Sequence, residues 1–147
     1  NTAAVEKPEL INELSREFGS QSVIASIEAK RKTDSTWEVY TNNGRERTGK
    51  DVLEWAKETI DRGAGEILIT SVDKEGTQTG FDNDLINFIL PTINIPCVIS
   101  GGMSKLEDLN IFSNYSICNG VAVASVLHYE KYLPGQIKEY VSKNFNI

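Results

Sequence analysis

The run Gly65-Glu-Ile-Leu-Ile-Thr-Ser-Val-Asp-Lys-Glu-Gly-Thr77 passes from an apolar strand pattern straight into a polar loop carrying Asp73, Glu75 and Gly76. A parallel strand delivers reactive groups in this way, at its C-terminal end. Two further apolar runs finish similarly: Ile95-Pro-Cys-Val-Ile-Ser-Gly-Gly102 in a diglycine, and Gly120-Val-Ala-Val-Ala-Ser125 in a serine at a helix start. Glycine turns and helix N-termini present unpaired N–H donors that take up phosphate, helped at a helix start by the positive end of the peptide dipoles. The three strand ends together predict a site for a phosphorylated ligand, gripped by backbone amides.

The composition narrows what that ligand is. Twenty-one acidic residues stand against 15 basic ones in 147, a net charge of -6, and a nucleic-acid partner would need a basic face. With 39% hydrophobic and 24% charged residues the chain suits one folded domain. Cys97 and Cys118 lie in or beside apolar runs and read as buried free thiols of a reducing compartment. No apolar run approaches the roughly 20 residues of a membrane span, and no signal-peptide pattern opens the chain. A cytoplasmic protein is expected, with no metal cluster or nucleotide loop and therefore no cofactor. Asn1 is not a translation start, so the chain is expected to have been processed or cut from something longer.

The elements that must position the strand ends follow from periodicity. Leu10, Ile11, Leu14 and Phe18 share a helical face between Pro8 and Gly19. Residues 22–29 read as a buried strand. Asn42-Asn43-Gly44 between the alternating runs 36–41 and 45–48 predicts a β-hairpin, with Trp37 and Tyr40 as cross-strand neighbours that stabilise it. A helix over 50–62 follows. Then strand and helix alternate: 66–70, 82–90, 96–100, 105–112, 120–124 and 133–143. Alternation of this kind implies right-handed crossovers and a parallel sheet. The fold class expected is α/β: a single domain over 1–147 with four βα units in 20–147, a hairpin at 36–48, and a strand remnant at 1–5. Four parallel strands make a small open sheet or half of a (β/α)8 barrel, and polar residues at every strand end favour the barrel, whose sites gather at that rim.

Asn1-Thr-Ala-Ala-Val5, Phe18-Gly-Ser-Gln21, Ile27-Glu-Ala-Lys-Arg31, Gly63-Ala-Gly-Glu-Ile-Leu68, Thr70-Ser-Val-Asp-Lys-Glu-Gly-Thr77, Ser100-Gly-Gly102 and Ala124-Ser-Val126 occur in one order along the chain. In that order they resemble the C-terminal half of the cyclase subunit of imidazole glycerol phosphate synthase, of the histidine pathway. The resemblance implies a barrel of two similar halves and a small substrate with a phosphate at each end. It implies ammonia delivered from a glutaminase subunit, used for ring closure and cleavage. By resemblance Asn1 and Thr2 touch one phosphate, and Gly76, Gly102, Ala124 and Ser125 hold the other, with Thr70, Glu75, Ser100 and Gly101 completing the substrate set. Glu28 occupies the catalytic position and Glu66 that of a charged gate where ammonia enters.

Two positions depart from that family. Glu28 and Glu75 stand where the resemblance implies aspartate, so each carboxylate sits one methylene further out. A shift of about 1 Å can cost on the order of 100-fold in rate, so weak or absent activity is expected of this half alone. Glu28 has a plainer alternative, an ion pair with Lys30 or Lys74. Asp73 is read as a turn-former, and His128, the only histidine, as packed or solvent-facing.

A four-stranded sheet with helices on one side leaves the other bare, carrying Val23, Ala25, Ile67, Ile69, Val98 and Val121 or the alternates. Exposed edges and apolar surface invite pairing. The expectation is a homodimer of half-barrels, or association with a separate N-terminal half. Two other functions stay open: a paralogue passing ammonia to another acceptor such as a surface sugar, and a non-catalytic phosphate-binding half-barrel.

Overall fold

In the computed structural model, which describes residues 1–145, six strands form one sheet in the order β3-β2-β1-β4-β5-β6. The strands are β1 (Ile24–Thr33), β2 (Thr36–Thr41), β3 (Glu46–Asp51), β4 (Glu66–Ser71), β5 (Cys97–Ser100) and β6 (Cys118–Ala122). β1, β4, β5 and β6 run parallel, and β2 and β3 are the antiparallel hairpin. The helices are α1 (Thr2–Glu6), α2 (Glu9–Phe18), α3 (Val52–Asp61), α4 (Asn83–Ile89), α5 (Ser125–His128) and α6 (Pro134–Asn144). This is half of a (β/α)8 barrel, not closed.

Alternation along the strands divides the sheet into two faces. Ala25, Ile27 and Ala29, Ile67 and Ile69, Cys97 and Ile99 point to the helices and are buried. Complete burial of each isoleucine contributes about 1.5–3 kcal/mol. Trp55, Leu85, Ile89 and Leu109 close over that face. The opposite face carries Ser26 and Glu28, Leu68 and Thr70, Val98 and Ser100, all half-buried, with Ile24 57% exposed. The bare face is therefore the alternate set, and Val98 alone of Val23, Ala25, Ile67, Ile69 and Val98 belongs to it.

Several expected elements shift, each for a local reason. Residues 1–5 form no strand: α1 occupies Thr2–Glu6, with Val5 N–H donating to Asn1 O at 3.1 Å and Lys7 N–H to Ala3 O at 2.9 Å. This alanine-containing stretch joins no ladder and satisfies its amides within itself. β1 runs on to Thr33 because the hairpin pairs with its extension, Glu28 opposite Tyr40 and Arg31 opposite Trp37. Trp37 and Tyr40 are thus not neighbours across the hairpin. They lie three apart on β2, Trp37 buried beside Phe88 with ring centres 5.1 Å apart, Tyr40 on the other face.

The helix expected over 105–112 is a 3-10 helix, Leu106–Asn114. Leu106, Leu109 and Phe112 recur every third residue, and a three-residue turn stacks them on one side, where Leu109 and Phe112 are buried. β6 ends at Ala122 rather than 124, leaving Val123 and Ala124 as a connection into α5. On α2, Ile11 is buried but Leu14 and Phe18 are exposed.

Candidate functional site

Strand register sets the first part of the site. Glu28 lies beside Thr70, Thr70 beside Ser100 and Ser100 beside Ala122, a lateral row across all four parallel strands on the open face, at the C-terminal ends of β4, β5 and β6 and midway along β1. One layer below lie Ser26, Leu68, Val98 and Gly120, and below that Ile24 beside Glu66. Glu66 therefore sits at the far end of the sheet from the row, where its sequence position places it.

The loops beyond the row form the second part. A cavity of about 390 Å³ is lined by Glu75, Gly76, Ser100, Gly101, Gly102, Met103, Ala122, Val123, Ala124, Ser125, Val126, His128 and Tyr129. Seven of the predicted residues, Glu75, Gly76, Ser100, Gly101, Gly102, Ala124 and Ser125, share this cavity. Thr70 belongs to the row, next to Ser100. Asn1 and Thr2 lie elsewhere: Asn1 Nδ2 donates to Tyr40 O at 2.8 Å, and Thr2 Oγ1 accepts from Asn42 N–H at 3.1 Å.

The cavity keeps its shape because the β4 and β5 loops lean on each other. Gly80 N–H donates to Gly102 O at 2.8 Å. Gly102 has φ +101°, and a Cβ there would stand 2.3 Å from Gly80 O; at Gly101 one would stand 2.8 Å from Ser71 O. The β4 loop is also tied back to β1. Asp73 Oδ2 accepts from Arg31 N–H at 2.7 Å, so this aspartate joins two strand ends rather than capping its own turn. Arg31 Nη2 reaches Asp82 Oδ1 at 3.1 Å and Asp84 Oδ2 at 2.9 Å, while Ser71 Oγ donates to Asp82 Oδ2. Asp82, 5% exposed, in turn caps α4 by accepting from Leu85 N–H. The sequence reading missed Arg31 and Asp82 as supports; the signal for Asp82 was its place just before a helix.

Two arrangements differ from the plainer sequence expectations. Glu28 is not ion-paired to Lys30 or Lys74 among the described residues; its Oε2 accepts from Gly44 N–H at 2.7 Å. Lys30 stacks on Tyr40 instead, its Nζ 5.0 Å from the ring centre. His128 is exposed as expected, yet it lines the cavity and meets Tyr129 edge-to-face. The cysteines are free, and burial pushes the Cys97 thiol up to about 12 and raises that of Cys118. No group of three or more metal-ligating side chains occurs among the described residues, and none of the described helices is long and apolar enough to cross a membrane.

In outline, the chain is a half-barrel α/β protein whose polar rim joins a lone carboxylate to a cavity edged by glycine turns. Residues 1–133 match the family model described as histidine biosynthesis protein, and the chain belongs to that family. It is 54% identical over 110 residues to imidazole glycerol phosphate synthase subunit HisF of Legionella pneumophila, covering 75% of this chain and 52% of that protein. Against the subunit of the same name from Prochlorococcus marinus (strain MIT 9312) it is 46% identical over 143 residues, 96% of this chain and 56% of the relative. The Hydrogenobaculum protein of that name is 42% identical over 144 residues, 98% and 57% of the two chains. The chain spans about half the length of the curated relatives it matches.

Proposed function

We propose that this chain is the phosphate-gripping half of an imidazole glycerol phosphate synthase cyclase barrel. One observation carries the reading: the row Glu28, Thr70 and Ser100 opens directly onto the glycine-edged cavity, with Ser100 common to both. A substrate with a phosphate at one end is then anchored by amides of the Gly76 and Gly102 turns and of the Ala124–Ser125 helix start. Its reacting carbons lie along the hydroxyl-lined row. Amides suit this work because their N–H dipoles stabilise a phosphate's charge without a cationic side chain, in a molecule of net charge -6.

Ring closure by ammonia and cleavage of the product both require protons to be moved. Glu28, the one carboxylate of the row, takes that part from this half, and the opposing acid comes from the half that completes the barrel. Ammonia arrives from a glutaminase subunit at the opposite mouth, past Glu66. Alone, this half binds phosphate and turns over weakly or not at all.

The test is to express the chain with the N-terminal half of the Prochlorococcus relative and follow ammonia-dependent consumption of the bisphosphorylated substrate. Turnover is expected in the mixture, with Glu28→Gln lowering kcat by about 100-fold, at the lower end of what a general acid or base contributes. An active mixture whose kcat is unchanged by Glu28→Gln overturns the assignment of Glu28. A well-folded mixture that neither binds nor consumes the substrate overturns the function.

A further inference from the structure

The hairpin tip does more than join two strands. Asn42, Asn43 and Gly44 have φ of +53°, +60° and +73°, three consecutive residues in left-handed backbone. Asparagine and glycine adopt that conformation more readily than other residues, as hairpin tips require. Contacts from outside the hairpin hold the curl further. Asn42 N–H donates to Thr2 Oγ1, and the Tyr40 carbonyl accepts from Asn1 Nδ2. Gly44 sits so close to the end of β4 that a Cβ would stand 2.7 Å from Val72 Cγ1.

This curl aims the Gly44 N–H inward, at Glu28 Oε2, 2.7 Å away. That short, charge-assisted bond is the one hydrogen bond the Glu28 side chain makes among the described residues, and it engages only Oε2, while Glu28 pairs with Thr70 in the row on the open face. We infer that the hairpin tip is the positioning element for Glu28: the Gly44 amide, seated against Val72, fixes the carboxylate so that one oxygen is held and the other faces the substrate row. The inference rests on the reading of Glu28 as the proton-moving group. Gly44 is a positioning residue, acting through Glu28 and not on substrate.

Amide hydrogen exchange in the full chain, read by NMR, tests the contact without needing turnover. The Gly44 amide is expected to be protected in the parent and in Glu28→Gln, which keeps an acceptor, and to exchange about ten-fold faster in Glu28→Ala. The Arg45 amide, bonded to Thr41 O within the hairpin, is the internal control and should not change. Equal Gly44 rates in parent and Glu28→Ala overturn the inference, as does acceleration of Arg45 together with Gly44, which means the hairpin has merely loosened.

In the completed barrel, Gly44→Ala is expected to lower kcat by about ten-fold or more while KM stays near the parent value, because misplacement of a reacting group falls on the chemical step. Val72→Ala added to Gly44→Ala makes room for the methyl group and should restore part of kcat. A Gly44→Ala barrel with parental kcat overturns the positioning role. Absence of turnover even in the parent barrel counts against the proposed function, while the exchange rates still decide whether the tip holds Glu28.

Discussion

At Gly102 a methyl group has nowhere to go, since the β4 loop approaches through Gly80 O and the backbone already lies at φ +101°. Gly102→Ala is expected to cost about 1–3 kcal/mol for the backbone alone, read as a lower urea midpoint, and to abolish phosphate binding measured by calorimetry. Retained binding with an unshifted midpoint would contradict the interlocked-loop geometry. Cys97 offers a second test. Its thiol is raised from the ordinary value near 9.0 to about 12, burial being the largest cause. The folded state then holds that proton more tightly than the unfolded chain does. Stability from this group is complete below about pH 9 and declines as pH climbs toward 12. Urea midpoints at pH 8 and 10 should therefore fall less in Cys97→Ala than in the parent. At this scale the sequence was most readable where glycine or serine ended an apolar run, because backbone chemistry depends little on distant neighbours. It was least readable at Glu28, whose partner Gly44 lies 16 residues away and meets it only through the curl of the tip.

Among the elements, the hairpin is braced by a buried carboxylate. Glu38 is 3% exposed on β2, its carboxylate accepting from Arg47 Nη2 at 2.8 Å and from Gly49 N–H at 2.9 Å. The Arg47 hydrogen bond foremost holds the Glu38 carboxyl below its usual range, against the opposing effect of burial. A depressed carboxyl stabilises the fold above its unfolded value near 4.5, and that contribution disappears as pH falls through the lower native value. Trp37 fluorescence, followed from pH 6 to 3, should report loosening of the hairpin, and Glu38→Gln should flatten the profile. A profile unchanged by that substitution would place the acid sensitivity elsewhere. The hairpin itself was legible from Asn-Gly between alternating runs, but its pairing with a four-residue extension of β1 was not, since register between separate strands is a tertiary choice. That the expected helix over 105–112 is a 3-10 turn, 106–114, is not legible for a related reason. Apolar residues at intervals of three and of three-to-four look alike over two turns, and packing of Leu109 and Phe112 decides between them.

For the molecule as a whole, the open face governs behaviour in solution. Ile24 is exposed and Leu68 and Val98 half-buried on a face with no covering layer among the described residues, and apolar surface bounded by strand edges favours association. Light scattering at micromolar concentration is expected to give a dimer for the isolated chain, converted to a one-to-one complex on adding the N-terminal half of a relative. A stable monomer indifferent to that half would count against a barrel shared between halves. The alternation of strands and helices made the half-barrel legible from one end of the chain to the other. Residues 1–5 were the exception, because whether so short a segment extends or coils is set by tertiary context rather than by its own residues.

That edge is of defined length. On its side away from β4, β1 is occupied by β2 from Glu28 onward, and Ile24 to Ile27 have no strand beside them among the described residues. An incoming parallel strand thus has a berth of four residues and must stop where the hairpin begins. To any such strand the hairpin is a doorstop, halting it one residue below the level of Glu28.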